Sequence, residues 1–324
     1  MVPAIELHVH LEGAIRPHTL LEIARNNGET LPASSVAELE ALYEFTDFAH
    51  FIDVWMLTTN CLRTADDFRR IVVDYAAEAA SFGAVYVEGI FSPGERVQRG
   101  LRFEDIFEGY AEGAREAESR HGVTVRFTPD IHRQLPVDLA EECARQAVRY
   151  RDHFVVGFGL GGNEYAAPLE PYRKALEIAR DGGLGLVPHA GELPGRDGLG
   201  GALSVREALD VGADRIRHGI WAVEDPDVVA ELVDRGVVLD VCPTSNLRTR
   251  SVPALSEHPL PALLAAGVAC TVNTDDPAMF GTDLGRELAA AASLGLSGVD
   301  AFRAGVAGAL CDAQTRARLA SLAL

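Results

Sequence analysis

Short apolar, β-branched runs alternate with longer helical runs along almost the whole chain, and this rhythm restricts the possible folds more than any other feature. Runs such as Val237-Val238-Leu239 are continuously apolar, which is typical of strands buried on both faces of a parallel sheet. The predicted strands are Ile5–His10, Ala84–Phe91, Val123–Ile131, Phe154–Leu160, Leu186–His189, Arg215–Ile220, Val237–Val241 and Ala269–Thr274. Eight strand–helix units predict an α/β fold, a (β/α)8 barrel of the TIM type.

The connection after the first predicted strand is unusually long. Residues 14–82 read as helix, acidic loop, aromatic patch and helix, and we predict that they form a helical lid inserted after strand 1. The patch has helical spacing, which fits either the packing of an extra helix or an apolar wall over a ligand; its members are Phe45, Phe48, Phe51 and Trp55. Residues 1–324 are expected to form one domain.

Charge and composition exclude several classes of function. The formal net charge is −19 and is spread along the chain, which argues against binding to nucleic acid phosphates. No apolar stretch approaches the ~20 residues of a membrane span, and the first residues lack the pattern of a secretory signal. The five cysteines form no CxxC pair, which is typical of reduced cysteines. We therefore expect a cytoplasmic protein without nucleic acid or membrane partners.

Polar residues gather at the carboxyl ends of predicted strands one, five, six and eight. They are His8 and His10, His189 with Glu192, His218, and Asp275 with Asp276. Each signal is modest alone, because a His-x-His pair is often an ordinary polar pair and Asp-Asp-Pro is usually a turn or helix cap. Their shared position is informative, because the active sites of barrel enzymes form at the carboxyl ends of the strands.

The types of these residues suit a metal-dependent hydrolase. Three histidines and one aspartate form a nitrogen and oxygen ligand set that Zn²⁺ accepts. Adjacent aspartates at the mouth of an apolar strand repel each other unless a cation or a proton lies nearby. A zinc ion lowers the pKa of a bound water toward ~7, and a remaining carboxylate and histidine can transfer protons.

Five motifs, in their order and spacing, resemble those of the adenosine deaminase family in the amidohydrolase superfamily. They are His8-Val-His-Leu-Glu-Gly13, His189-Ala-Gly-Glu192, Arg217-His-Gly219, Cys242-Pro-Thr-Ser-Asn246 and Asn273-Thr-Asp-Asp-Pro277. The resemblance covers nearly the whole chain, from Leu7 to the helices after Asp283. It implies a (β/α)8 barrel that hydrolyses the 6-amino group of an adenine ring and releases ammonia.

The resemblance also implies a role for each matched residue. One Zn²⁺ per chain would be held by His8, His10, His189 and Asp275. Glu192 would donate a proton to the purine N1, and His218 would hold the attacking water and help to deprotonate it. Asp276 would contact N7, and the backbone N–H of Gly162 would contact N3. A single metal is expected because two-metal relatives carry a modified lysine on strand four, whereas the only lysine here is Lys174.

Two departures from the family pattern concern the substrate. Glu12 stands where adenosine deaminases carry an aspartate near the ribose 5′ position, and adenine deaminases also carry a glutamate there. In contrast, Gly161-Gly-Asn-Glu164 is similar to the sequence of the nucleoside deaminases. Deaminases of 6-aminodeoxyfutalosine, an intermediate of menaquinone synthesis with a bulky 5′ chain, fit this mixture. Gly89 and Ile90 are interpreted as smaller groups that make room for that chain. Adenosine, 6-aminodeoxyfutalosine and, as a further alternative, free adenine stay open as substrates.

A non-catalytic protein that binds purine or metal is the alternative from another class. Against it, every expected ligand and every expected acid or base group is present. His132, Arg133 and Glu164 receive no assigned role. The remaining histidines are predicted to be surface or capping residues; they are His18, His50, His121, His153 and His258.

Overall fold

The strands of the protein follow the eight predicted runs, with two of the runs each split in two. A computed structural model describes residues 3–322. The strands are β1 (Ala4–His10), β2 (Ala84–Ile90), β3 (Thr124–Phe127), β4 (Asp130–His132), β5 (Gly157–Gly161), β6 (Gly185–Leu186), β7 (His189–Ala190), β8 (Arg215–His218), β9 (Val238–Val241) and β10 (Cys270–Val272). Pro129 and Pro188 lie at the two breaks, because proline has no N–H to donate to a strand ladder.

The strands pair in parallel, each beside its neighbours in sequence, and the ring closes between its last and first members. Sheets β1-β2-β3, β4-β5-β6 and β7-β8-β9-β10 are joined by further parallel bridges, including Val9–Asp275. The amide of Asp275 donates to the carbonyl of His8 at 3.1 Å, and the amide of His10 donates to the carbonyl of Asp275 at 2.7 Å. This closed parallel ring confirms the predicted (β/α)8 barrel.

Helices connect the strands. The α-helices are α1 (Pro17–Asn26), α2 (Val36–Leu42), α3 (Phe48–Thr59), α4 (Ala65–Ser81), α5 (Pro93–Gln98), α6 (Phe103–His121), α7 (Val137–Arg149), α8 (Arg173–Asp181), α9 (Gly201–Asp210), α10 (Pro226–Arg235), α11 (Pro243–Arg248), α12 (Leu260–Ala265), α13 (Pro277–Phe280), α14 (Leu284–Ser293), α15 (Gly298–Gly308) and α16 (Ala313–Ala320). Short 3₁₀ turns cover Arg151–His153, Glu170–Tyr172, Ile220–Glu224 and Leu255–Glu257. Within residues 3–322, no helix is long and apolar enough to cross a membrane.

Segment 14–82 contains four helices, α1 to α4, between the first two strands. A capping box fixes the start of α4. The side chain of Thr64 accepts from the amide of Asp67, and the side chain of Asp67 accepts from the amide of Thr64. The aromatic residues of α3 are buried, and the ring of Phe51 lies 5.0 Å from that of Phe280 on α13. The helix α3 is thereby packed against the segment that follows the last strand.

A buried ion network ties the inside of the barrel together. Arg215 is fully buried, and its guanidinium lies 2.7 Å from Glu88 Oε2 and 2.6 Å from Asp240 Oδ2. The same group donates to the carbonyls of Leu7 at 3.0 Å and Gly308 at 2.7 Å. One side chain on β8 therefore neutralises carboxylates on β2 and β9 and links them to β1.

Replacing Arg215 with methionine should strongly destabilise the barrel. The substitution roughly keeps the volume but leaves Glu88 and Asp240 buried without a counter-charge, so the free energy of unfolding should fall by about 3–5 kcal/mol. Chemical denaturation would measure the loss. Arg102→Met at an exposed ion pair serves as the control and should leave the unfolding midpoint unchanged. A stability of Arg215→Met equal to that control would contradict the network's role.

Candidate active site

Seven of the nine predicted site residues line one cavity at the carboxyl ends of the strands. They are His10, Gly162, His189, Glu192, His218, Asp275 and Asp276. The eighth, His8, is fully buried against Asp275 beneath the cavity floor. The empty space in this cavity, including the part that is open to solvent, is about 490 Å³.

Three histidine nitrogens converge on one carboxylate. Asp275 Oδ1 lies 3.3 Å from His8 Nε2 and 3.4 Å from His10 Nε2, and His10 Nε2 lies 3.1 Å from His189 Nε2. All four ligand atoms lie within 4.8 Å of one another, and His8 Nε2 is buried without a hydrogen-bond partner. A buried, unsatisfied ring nitrogen is costly unless an ion completes it, so this nitrogen and oxygen group fits a metal such as zinc.

Backbone strain accompanies two of these side chains. Asp275 and His218 have φ angles of +64° and +62°, a left-handed conformation that is uncommon for residues other than glycine. Such strain costs about 1–3 kcal/mol and persists only where the surrounding structure enforces it. For Asp275 the closing hydrogen bonds to β1 provide that enforcement.

Contacts behind the histidines fix how their rings point. His189 Nδ1 lies 3.1 Å from Asp130 Oδ2, whose other oxygen accepts from Arg217. Burial alone would raise the pKa of Asp130, but Arg217 and His189 outweigh it and lower the pKa to about 2. Nδ1 of His189 also lies 3.2 Å from the carbonyl oxygen of Leu160, and these two acceptors on Nδ1 leave Nε2 facing the metal group. Asp130 was not among the predicted site residues, although it also lies near the carboxyl end of a predicted strand.

Glu192 and His218 face each other across the cavity wall. Glu192 Oε2 lies 3.6 Å from His218 Nε2, and both side chains are buried. Burial raises the pKa of Glu192 well above its usual value, and the charges of Asp275 and Glu164 raise it further. Burial lowers the pKa of His218 to about 3. The geometry therefore favours a neutral carboxyl group beside a neutral imidazole, which is a proton donor next to a group that can bind water.

A chain of hydrogen bonds supports His218 from behind. His258 Nδ1 accepts from the amide of Leu260, so His258 Nε2 donates to Asn246 Oδ1 at 3.1 Å. The amide nitrogen of Asn246 then lies 3.4 Å from His218 Nδ1. His258, which was predicted to be a surface or capping residue, is buried, and its ring accepts from the amide of Leu260 at the start of α12. In the sequence, the only sign of this hydrogen-bond chain was the position of Asn246 in one of the five motifs.

Two neighbours hold the side chain of Asp276, namely Trp55 of the aromatic patch and Gly13 of the first motif. Trp55 Nε1 on α3 donates to Asp276 Oδ1 at 2.9 Å. A Cβ atom at Gly13 would lie only 1.6 Å from the same oxygen, so the carboxylate requires glycine there. Burial and the charge of Asp275 raise the pKa of Asp276 well above its usual value.

The residues expected near the substrate's 5′ end lie outside the cavity lining. Glu12 lies behind the cavity wall, where its Oε1 accepts from the amide of Ser92 at 3.0 Å, and it is not a lining residue. Gly89 and Ile90 do not line the cavity either. Ile90 is fully buried, and Leu11 Cδ1 would lie 2.6 Å from a Cβ at Gly89. Leu11 occupies the volume that the smaller residues leave, which sequence spacing does not reveal.

Residues after β4 and β5 complete the cavity wall. Gly162 has a φ of +83°, and a Cβ there would lie 2.6 Å from His132 Nε2, so only glycine lets this backbone lie so close to the His132 ring. His132 Nδ1 accepts from the amide of Gln134 at 3.3 Å, which leaves its unpartnered Nε2–H as a donor at the wall. Arg133 donates to the carbonyl of His189 at 3.0 Å. His132 thus lines the site, and Arg133 supports it.

The chain is similar to known proteins along almost its whole length. Residues 3–323 match the family described as adenosine deaminase. An aminodeoxyfutalosine deaminase from Acidothermus cellulolyticus is 54% identical over 320 residues, covering 98% of this chain and 90% of the relative.

Two solved structures have similar folds. An adenine deaminase from Arthrobacter aurescens superposes with a TM-score of 0.92 at 32% identity, covering 100% of this chain and 98% of that one. An amidohydrolase from Burkholderia ambifaria with bound zinc superposes with a TM-score of 0.87 at 27% identity, covering 99% and 89% of the two chains.

Proposed function

Because this chain belongs to the adenosine deaminase family and is a hydrolytic deaminase, we propose that its substrate is aminodeoxyfutalosine. Water replaces the 6-amino group of the adenine ring, and the products are the corresponding 6-oxo nucleoside and ammonia. The observation that carries the proposal is the metal-ligand group of four residues beside the buried pair Glu192 and His218. The relative that is 54% identical supports this nucleoside over free adenine.

One zinc ion per chain is proposed for the group formed by His8, His10, His189 and Asp275. When bound, the ion supplies a Lewis acid that lowers the pKa of water toward ~7. The nitrogen-rich ligand set supports zinc over magnesium or calcium, which prefer oxygen ligands. Lys174 supports a single metal, since it lies on α8 and contacts Glu177, away from this group.

The remaining residues would act on the purine ring and on the attacking water. Glu192 donates a proton to N1, which makes C6 more electrophilic, and His218 holds the water near C6. Asp276 and the backbone N–H of Gly162 hold N7 and N3, so that the ring cannot turn in the cavity. Each group stabilises charge that develops as water adds to the ring.

The helices of segment 14–82 are proposed to act as a lid within a single domain that spans residues 1–324. Phe48, Phe51 and Trp55 on α3 line the cavity as well as packing together, so both interpretations of the aromatic patch apply. A lid with an apolar inner face excludes water other than the reacting molecule.

Replacing Trp55 with phenylalanine tests how the lid meets the reacting groups. The change keeps an aromatic ring but removes the N–H that donates to Asp276, so kcat/KM should fall about tenfold. Steady-state kinetics would measure it. Leu57→Ala on the exposed side of α3 is the control and should leave kcat/KM unchanged. Equal kinetics for the two variants would remove Trp55 from the site's function.

Parallel measurement of ammonia release tests the substrate. Aminodeoxyfutalosine, adenosine and adenine would be assayed with the same zinc-loaded enzyme, and kcat/KM should be highest for aminodeoxyfutalosine, by about tenfold or more. A preference for adenosine or adenine would overturn the substrate while leaving the reaction intact. Purine binding without ammonia release from any of the three would favour a non-catalytic binding protein.

A further inference from the structure

A buried carboxylate lies beneath the loop that carries Glu192. Glu164 is only 2% exposed, and its two oxygens accept from three consecutive backbone amides. Oε2 accepts from Gly191 at 2.9 Å, and Oε1 accepts from Glu192 at 2.7 Å and from Leu193 at 3.2 Å. Hydrogen bonds to an ionised acceptor are shorter and stronger than neutral ones, so this contact holds the loop firmly.

The same loop is held from its other side. The hydroxyl of Ser251 donates to the carbonyl of Glu192, so both backbone polar groups of Glu192 are engaged. Gly191 has a φ of +63°, and a Cβ there would lie 2.5 Å from Val205 Cγ2. Glycine therefore lets the chain turn close to the barrel, where its amide meets Glu164.

We infer that Glu164 is a positioning residue that aims the carboxyl group of Glu192 at the substrate, an inference that rests on the proposed function of Glu192. Glu164 does not line the cavity and acts only through the loop. Within residues 3–322, the three amides have no acceptor other than this one carboxylate.

Glu164→Gln is the direct test. Glutamine keeps the size of the side chain but replaces one acceptor oxygen with an amide NH2 group. That NH2 is a donor and would face a backbone N–H, which is also a donor. A displacement of Glu192 should lower kcat about 10- to 100-fold, whereas KM should stay within about twofold because the groups that hold the purine are untouched. Metal content should be unchanged.

A double variant separates positioning from general loss of structure. If Glu164 acts through Glu192, then Glu164→Gln combined with Glu192→Gln should be no slower than Glu192→Gln alone. Multiplied losses in the double variant would overturn the inference, as would a wild-type kcat for Glu164→Gln. A wild-type kcat for Glu192→Gln alone would instead overturn the proposed function, so the two failures are distinguishable.

Two further variants guard against misfolding. Glu164→Asp keeps the charge and both acceptor oxygens on a side chain that is one methylene shorter. Its kcat should lie between those of wild type and Glu164→Gln. A kcat at or below that of Glu164→Gln would count against the inference. Glu224→Gln is the matched control, because Glu224 accepts from the amides of Gly195 and Ala202 further along the same connection. It should retain wild-type kcat, and thermal unfolding would be recorded for every variant.

Discussion

Removing the metal with a chelator should abolish ammonia release, with a fall in kcat of about 10⁴-fold or more. Water has a pKa of 15.7 in bulk and needs a strong Lewis acid to become nucleophilic at neutral pH. Asp275→Asn should act in the same direction, because it removes the only carboxylate of the four-residue group and with it the charge that faces three histidines. Metal analysis of the purified protein, followed by kinetics before and after chelation, would measure both effects.

Adding back metals one at a time identifies the native ion. Zinc should restore the activity of the chelated protein, and magnesium should not, since the group is rich in nitrogen ligands. Asp276→Asn is the matched control for Asp275→Asn, because it alters the neighbouring carboxylate and should leave metal content unchanged. Full activity in metal-free protein would contradict the metal-dependent mechanism.

Replacing Glu192 with glutamine should lower kcat about 10³-fold while the metal stays bound. The side chain keeps its shape but can no longer give a proton to N1, and removal of a general acid typically costs 10²–10⁴-fold in rate. The loss should appear in kcat more than in KM, because protonation of the ring matters most as the water adds. Steady-state kinetics together with metal analysis would separate the loss of the proton from a loss of the metal.

A second buried carboxyl group provides the control for this variant. Glu95 is 4% exposed, burial raises its pKa to about 7, and it does not line the cavity. Glu95→Gln makes the same chemical change outside the site and should retain kcat. If both variants lost activity equally, the effect of Glu192→Gln would reflect a disturbed interior and not a lost proton donor.

The barrel and the metal group were predictable because both depend on periodic, local features of the chain. Apolar runs predict strands, and strand ends in a barrel meet at one face, so His189 and Asp275 could be placed together. The strand breaks at Pro129 and Pro188 could not be predicted, because an apolar run that contains one proline still has the pattern of a single strand.

The supporting residues were harder to predict, because each depends on packing between distant parts of the chain. Leu11 fills the space beside Gly89, a contact that the sequence does not reveal. Asn246 lies in a recognised motif, yet its contact with His258 is visible only in three dimensions. Glu164 reaches a loop that begins 27 residues later, and no periodic pattern relates the two positions.

The closure of the barrel has a consequence for biosynthesis. The ribosome makes a protein from its amino end onward, so His8, His10 and His189 emerge long before Asp275. The residue that completes the ligand group also forms the backbone bonds that join the last strand to the first. A nascent chain therefore cannot form the four-ligand site before its last strand has been made. Binding of the metal is then a late step that requires the closed barrel.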